Sequence, residues 1–467
     1  MGARVKPVAL INVVGLSASL IGDDAPRLRA LVERGRMTAV RPPLPAVTCT
    51  VQASMLTGAA VGGSGGHGIV ANGWYFRELA EVRFWNRSNR LIEAEQVWET
   101  ARKRDASVTC ANLFWWHNTY SSADVVLNVR PIYKADGRKL PDCYSDPPEL
   151  RDQLQRELGT FPLFRFWGPV ADITSSRWIV DATMSVHRQY EPTLTLVYLP
   201  HLDYALQKYG PGHAKSVAAV REIDAEVGRL LDYCEQQGVT PIVVSEYGIE
   251  AVDGAVAVNR VLRDAGFLRV RTEEGLELLD PGACEAFAVA DHQVAHVYVR
   301  RPELVSKVAS LCQGITGVEQ VLDRAAMAEQ GLDHARAGEL LLVAERGKWF
   351  TYDYWHDDAA APDFARTVAI HAKPGYDPRE LFIDPAIRWP RLAVGWRLLK
   401  SKGLNVRTLM DVIPLDTSLV KGSHGRVAVA DELRPVLITP GGVAVEAAGE
   451  LPAAGVRDVV LGAMFGD

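Results

Sequence analysis

Three kinds of side chain stand where they could do chemistry: hydroxyls at the head of a helix-like run, carboxylates at the ends of strand-like runs, and a late histidine. Residues 45–73 read PAVTCTVQASMLTGAAVGGSGGHGIVANG. Thr48, Cys49 and Thr50 open the helix-like part of this stretch. A Thr there can cap the helix, and a helix N-terminus also offers N–H groups and positive dipole to a phosphate or other anion. Asp203 and the pair Glu246-Tyr247 lie at, or just past, the apolar runs TLTLVYLP (193–200) and PIVVSEYG (241–248), and His424 sits in KGSHGRV. A hydroxyl nucleophile, carboxyl groups and an imidazole are the parts of a nucleophilic displacement assisted by general acids and bases.

The elements that must hold these residues alternate in type. VALINVVGL is a short apolar run suited to a buried parallel strand, more so than to a signal peptide, because a charged DDAPRLRALVERG segment follows without a cleavage site. The run SVAAVREIDAEVGRLLDYCEQQG, between the strand-like runs at 193–200 and 241–248, carries Val217, Val220, Ile223, Val227, Leu230 and Leu231 on one helical face and ends at Gly238. Strand, helix and strand predict a right-handed crossover and a parallel sheet, whose ligands gather at the carboxyl ends of the strands. The expected fold is therefore α/β: a doubly wound, mostly parallel sheet with a smaller inserted α+β cap. The core spans 1–254, with an aromatic-rich insertion at 74–150; residues 255–350 form the cap or a sheet extension; residues 351–467 return to the core and end in a tail. After about Val427 short strands and a loosely packed tail are both open.

Composition narrows the class. The chain has 467 residues, 48% hydrophobic and 23% charged, with a net charge of −6. This suits a soluble globular enzyme on a small-molecule substrate, not a partner of nucleic-acid polymers or anionic membranes. Six cysteines without CxxC spacing predict reduced, buried thiols. No run is apolar and long enough to span a bilayer, and the expected location is cytoplasmic. Oligomeric state is not legible.

Several motifs, in order, resemble the nucleotide pyrophosphatase/phosphodiesterase branch of the alkaline phosphatase superfamily. They are the segment around Thr48, HGIVANGWYFREL (67–79), EAEQVWETARKRDASVTCANLFWW, LPHLDYALQKYGP (199–211), VVSEYGI (243–249) and KGSHGRV (421–427). The resemblance covers most of residues 8–430. It implies an alkaline phosphatase-like core and hydrolysis of a phosphate ester, with Thr48 as nucleophile and Thr50 and Cys49 as fallbacks. It also implies two divalent metals, usually zinc, that clamp the phosphoryl group and activate the hydroxyl.

The chain departs from that pattern at its ligands. The family's first metal-binding Asp aligns with Val14, its second-motif His with Gln207, its Asp-His pair with Glu246-Tyr247, and its Asn after the nucleophile with Val51, beside Gln52. Asp203 and His424 are kept. A single divalent metal (Zn, Mn or Mg) at Asp203, His424 and Glu246 stands beside no metal at all. Catalytic candidates are Thr48, Glu246, Tyr247 and His424; substrate-binding candidates are Gln52, Asn72, Trp74, Gln207 and Lys373. Trp74, Trp85, Trp98, Trp115 and Trp116 suit either core packing or stacking on a substrate ring. Arg77, Arg83, Arg87 and Arg90 suit a solvated helix face or contacts to phosphate. Asp291, His292, His296, His356, Asp357, Asp358, His371 and Tyr376 are further polar residues in segments that return to the core; a turn is expected at Asp357-Asp358. Three functions stay open: a metal-assisted hydrolase of a small phosphate ester or phosphodiester, a metal-independent acid–base enzyme on a non-phosphate biosynthetic intermediate in the same pocket, and a non-catalytic binding protein.

Overall fold

The computed structural model describes residues 5–399, 409–447 and 449–466. At its centre lies the strand Val8–Val13, buried at every position. A strand buried on both faces must be covered on both faces, which is why VALINV reads as a continuous apolar run. It pairs in parallel with Leu194–Leu199 on one side and Thr240–Val244 on the other. Cys110–Leu113 and Val125–Val129 extend the parallel set, and Cys143–Asp146 closes that edge antiparallel. Beyond Thr240–Val244 come the antiparallel strand Val436–Pro440, then Gly35–Arg41, then the short Leu451–Pro452. The nine-stranded sheet is thus mostly parallel, as expected.

One expectation changes here, and one left open is decided. The stretch 74–150 is not an insertion as a whole, because three of its strands belong to the central sheet; its aromatic content reflects core packing, with Trp98, Trp115 and Phe114 fully buried. The C-terminal stretch is not loosely packed either. Its strand Val436–Pro440 sits inside the sheet, and the helix Val456–Phe465 packs against the helix Thr48–Thr57 and the strand Val8–Val13. Helices Pro26–Glu33, Thr174–Tyr190 and Ala214–Gln237 pack together as a second group.

Residues 286–344 form a separate four-stranded antiparallel sheet. Its first hairpin joins Ala286–Asp291 to Val294–Val299 through His292-Gln293. His292 adopts a left-handed backbone (φ 61°), uncommon for a residue other than glycine. This hairpin tip reaches the carboxyl end of the central sheet, where Gln293 N donates to His424 O over 2.8 Å.

Candidate active site

The strand–turn geometry brings most of the candidates to one place. Asn12 is the penultimate residue of the first strand, Asp203 lies in the first turn of the helix His201–Tyr209, and Glu246-Tyr247 follow the strand Thr240–Val244. Gly248 after that pair allows the backbone to pass close to the neighbouring loop, since a Cβ there would fall 1.5 Å from Leu433 O. Gly425 takes φ 122° beside Gln293 and lets His424 enter the cluster.

Thr48 is the first residue of its helix, and Val47 occupies the cap position. The Thr48 hydroxyl does not cap the helix. It hydrogen-bonds the Tyr247 hydroxyl at 2.9 Å, and that hydroxyl in turn donates to Asp203 Oδ1 at 3.4 Å. Three buried oxygens therefore form one chain. Gln207 Nε2 donates to the other Asp203 oxygen at 2.8 Å, and Tyr376 donates to Gln207 Oε1 at 2.7 Å.

Glu246 is fully buried. Asn12 Nδ2 (2.5 Å) and Gln52 Nε2 (2.6 Å) both donate to its Oε1, while Oε2 has no partner. Burial pushes the Glu246 carboxyl up to about 8 and Asp203 up to about 7, against the hydrogen bonds that would lower them. At neutral pH Glu246 holds its proton. With Oε1 occupied by two N–H donors, that proton sits on Oε2, and Glu246 is a neutral O–H donor without an acceptor. Burial, followed by the nearby Asp203 and Glu246, pushes the Tyr247 phenol well above its usual range.

His424 Nδ1 donates to Ala46 O at 2.9 Å, which fixes the tautomer and leaves Nε2 as a lone-pair acceptor with no partner, 4.0 Å from Asp203 Oδ1. Burial, with His292 alongside, holds the His424 imidazole well below the usual histidine range. Tyr247, His424, His292 and Tyr376 form a column of rings with successive centroids 3.5, 3.7 and 3.6 Å apart. His292 Nδ1 hydrogen-bonds Asp291 at 2.7 Å. Asn72 accepts from Cys49 N at 2.9 Å and donates to Asp291, so it braces the head of the Thr48 helix against the hairpin tip.

Other candidates lie elsewhere. Trp74 is buried beside Phe76 and under Arg336. Lys373 is 1% exposed and spent in ion pairs with Asp377 and Glu380, so it is a buried structural charge and not a substrate contact. His296 is held by Val70 O and Gly338 N, and His356 pairs with Asp264 at the surface. Asp357 accepts from Ala359 N, as a turn residue does. The arginines Arg77 and Arg83 do not share a helix face; short strands at Gly73–Phe76 and Glu81–Phe84 occupy this region. Asn12 escaped the sequence reading, although a lone amide in an otherwise apolar strand was its signal.

The donor set does not fit a pair of divalent metals. Val14, at the first ligand position, is fully buried and carries no donor atom. Both ends of the Gln207 amide are hydrogen-bonded, and the Tyr247 phenol stays protonated within the Thr48–Asp203 chain. Glu246, the third ligand expected from the sequence, has its Oε1 taken by Asn12 and Gln52 and is held in its protonated form by burial; Asp203 and His424 remain as two good ligands, short of the three or four that a zinc site uses. Among the described residues no group of three or more His, Cys, Asp and Glu is arranged to hold a metal ion.

Residues 8–377 match the sequence profile of the type I phosphodiesterase/nucleotide pyrophosphatase family. No curated protein sequence matches the chain. Among solved structures, it is similar to phosphonoacetate hydrolase from Sinorhizobium meliloti 1021 in complex with phosphonoformate (TM-score 0.61, 15% identity, 99% of this chain and 96% of that one). It is also similar to an inactive form of murine ectonucleotide pyrophosphatase/phosphodiesterase 5 in complex with AMP (TM-score 0.58, 12% identity, 98% and 95%). The human counterpart gives TM-score 0.58 at 12% identity, with 99% and 95% covered. At these identities the likeness is one of fold.

Proposed function

Because the chain belongs to the type I phosphodiesterase/nucleotide pyrophosphatase family, whose members are phosphoester hydrolases, we propose that it hydrolyses a small phosphate ester or phosphodiester, of nucleotide or sugar-phosphate type, through Thr48. The observation that carries this reading is the buried chain Thr48–Tyr247–Asp203 at the head of a helix. It gives the nucleophile a route for its proton that does not run through a metal pair.

In the first step Thr48 Oγ1 forms a bond to phosphorus and the ester oxygen leaves. The Thr48 proton passes to the Tyr247 oxygen as the Tyr247 proton passes to ionised Asp203. Neutral Glu246 donates through Oε2 to a phosphoryl oxygen, where an ionised carboxylate would repel it. A water bound to His424 Nε2 gives a proton to the leaving oxygen. The hydroxide so formed attacks phosphothreonine, and Thr48 recovers its proton from Asp203 through Tyr247. The balance is one ester and one water consumed, one alcohol and one phosphate formed.

A second reading, acid–base chemistry on a non-phosphate intermediate, draws on the same neutral Glu246 beside Tyr247. Phosphate release from a panel of nucleotide and sugar phosphates separates the two. Turnover that falls at least 100-fold in Thr48→Ala supports the first. No release from any phosphate ester, with binding of non-phosphate ligands that Glu246→Ala abolishes, supports the second. The six cysteines are free and buried, which favours a reducing compartment, the cytoplasm, as the place of work. No helix among the described residues is long and apolar enough to cross a membrane.

A further inference from the structure

A cavity of about 720 Å³ lies next to the catalytic cluster, behind Trp85. The Trp85 ring stands 4.8 Å from Trp116, whose backbone N–H donates to Gln52 Oε1, and 6.1 Å from Tyr376. The Trp85 ring thus stands between the cavity and Trp116 and Tyr376, which hydrogen-bond the Gln52 and Gln207 amides of the cluster. Pro374 lines the cavity two residues before Tyr376.

The wall carries Arg83, Arg87, Arg271 and His371 against Glu81 and Asp280. Arg83 is paired with Glu81 at 2.8 Å, and Arg271 with Glu273 at 3.2 Å. Arg87 differs. Among the described residues its guanidinium has no ion pair and no hydrogen bond, although the side chain is only partly exposed. Its charged neighbours are cationic: Arg130 opposes its charge, and the His371 ring feels both Arg87 and Lys139. The Glu380 carboxylate, near Lys139, is already bound to Lys373 and to Trp167 Nε1. Asp280 is the one acid of the lining outside an ion pair, and it does not pair with Arg87, whose guanidinium has no carboxylate within ion-pair distance among the described residues. A partly buried guanidinium left unpaired among cations is costly, and an oxyanion would offset that cost through a bidentate contact.

We propose that Arg87 anchors a second anionic group, a phosphate or a carboxylate, carried by the same substrate molecule whose ester is cleaved at Thr48. The substrate class is then a bis-anionic phosphate ester that spans Trp85. This assignment rests on the hydrolase reading for its catalytic half, while its binding half stands alone.

The test uses three phosphate esters of one chain length: butane-1,4-diol monophosphate, its bisphosphate, and 4-phosphooxybutanoate. The expected result is a kcat/KM at least 10-fold higher for the two bis-anions than for the monophosphate. In Arg87→Gln that advantage is lost and the monophosphate rate stays as in wild type; Arg87→Lys restores part of it. Comparing bisphosphate with phosphooxybutanoate tells which anion the subsite takes. Titration calorimetry of Thr48→Ala with butane-1,4-bisphosphonate and butylphosphonate reads the same subsite without turnover. If none of the esters is hydrolysed but the bisphosphonate binds at least 10-fold tighter, and Arg87→Gln removes that margin, the hydrolase reading falls and the subsite stands. Equal affinity for both phosphonates, or a margin unchanged in both Arg87 variants, overturns the subsite.

Discussion

Replacing Glu246 by Gln tests whether the fold holds a neutral carboxyl at its catalytic centre. The substitution matches the site in shape. The Gln carbonyl takes the place of Oε1 and keeps the hydrogen bonds from Asn12 and Gln52, and the new NH2 takes the place of Oε2, which has no partner. Only the ability to ionise is lost. In the folded chain Glu246 releases its proton near pH 8, against 4.5 for an ordinary glutamate. Below the lower value both folded and unfolded chains are protonated there, and the residue is neutral in effect. As pH rises towards 8 the unfolded chain ionises and the folded chain does not, so wild type loses stability at about 1.4 kcal/mol per unit. Over that window the loss is on the order of 4 kcal/mol. Urea denaturation should therefore give equal stability for wild type and Glu246→Gln near pH 4 and a more stable variant at pH 8. A variant less stable than wild type by the same amount at both pH values would mean that Glu246 folds as an anion, and the donor role drawn for Oε2 would fail.

Other outcomes follow from the same geometry. Turnover needs Asp203 ionised and Glu246 protonated, so kcat/KM should rise through about pH 7 and fall above about pH 8, with both limbs belonging to the coupled pair; in Glu246→Gln the falling limb should vanish. Tyr247→Phe keeps the ring over His424 but breaks the proton route, and steady-state kinetics should show kcat lower by about 10²–10⁴. The same variant leaves the Thr48 hydroxyl and Asp203 short of a partner and should lose about 1–3 kcal/mol in denaturation. Lys373→Met leaves the buried Glu380 without its cation and Asp377 with Arg379 alone; thermal melting should report a loss of about 3–5 kcal/mol with KM unchanged at low temperature.

The three central strands were legible because they are short apolar runs, Val8–Val13 and Leu194–Leu199 buried at every position; Cys110–Leu113 and Val125–Val129 were not, because each is short and carries a buried amide, Asn112 or Asn128. The strand Val436–Pro440 was not, because its antiparallel partners lie about 190 and 400 residues earlier in the chain and no local pattern announces such pairing. In the site, Thr48, Asp203, Glu246, Tyr247 and His424 were legible through motif order and strand ends. The brace from Asn72 to Asp291 and the ring column through His292 were not. They depend on a hairpin tip from a separate sheet folding back onto the central one. Lys373 read as a substrate contact because a sequence does not tell a buried, doubly paired ammonium from a free one. Arg87 read as one of a solvated set because the loss of its partners is a property of the folded wall alone.

The central claim is that Thr48 becomes phosphorylated by a route through Tyr247 and Asp203 that needs no metal pair. The most direct measurement is peptide mass spectrometry of protein mixed with substrate in excess chelator and quenched in acid during turnover. The account predicts a phosphate adduct on the peptide bearing Thr48, present in wild type and absent in Thr48→Ala. An adduct that forms only when zinc or another divalent ion is restored, or one that maps to a different residue, would contradict it.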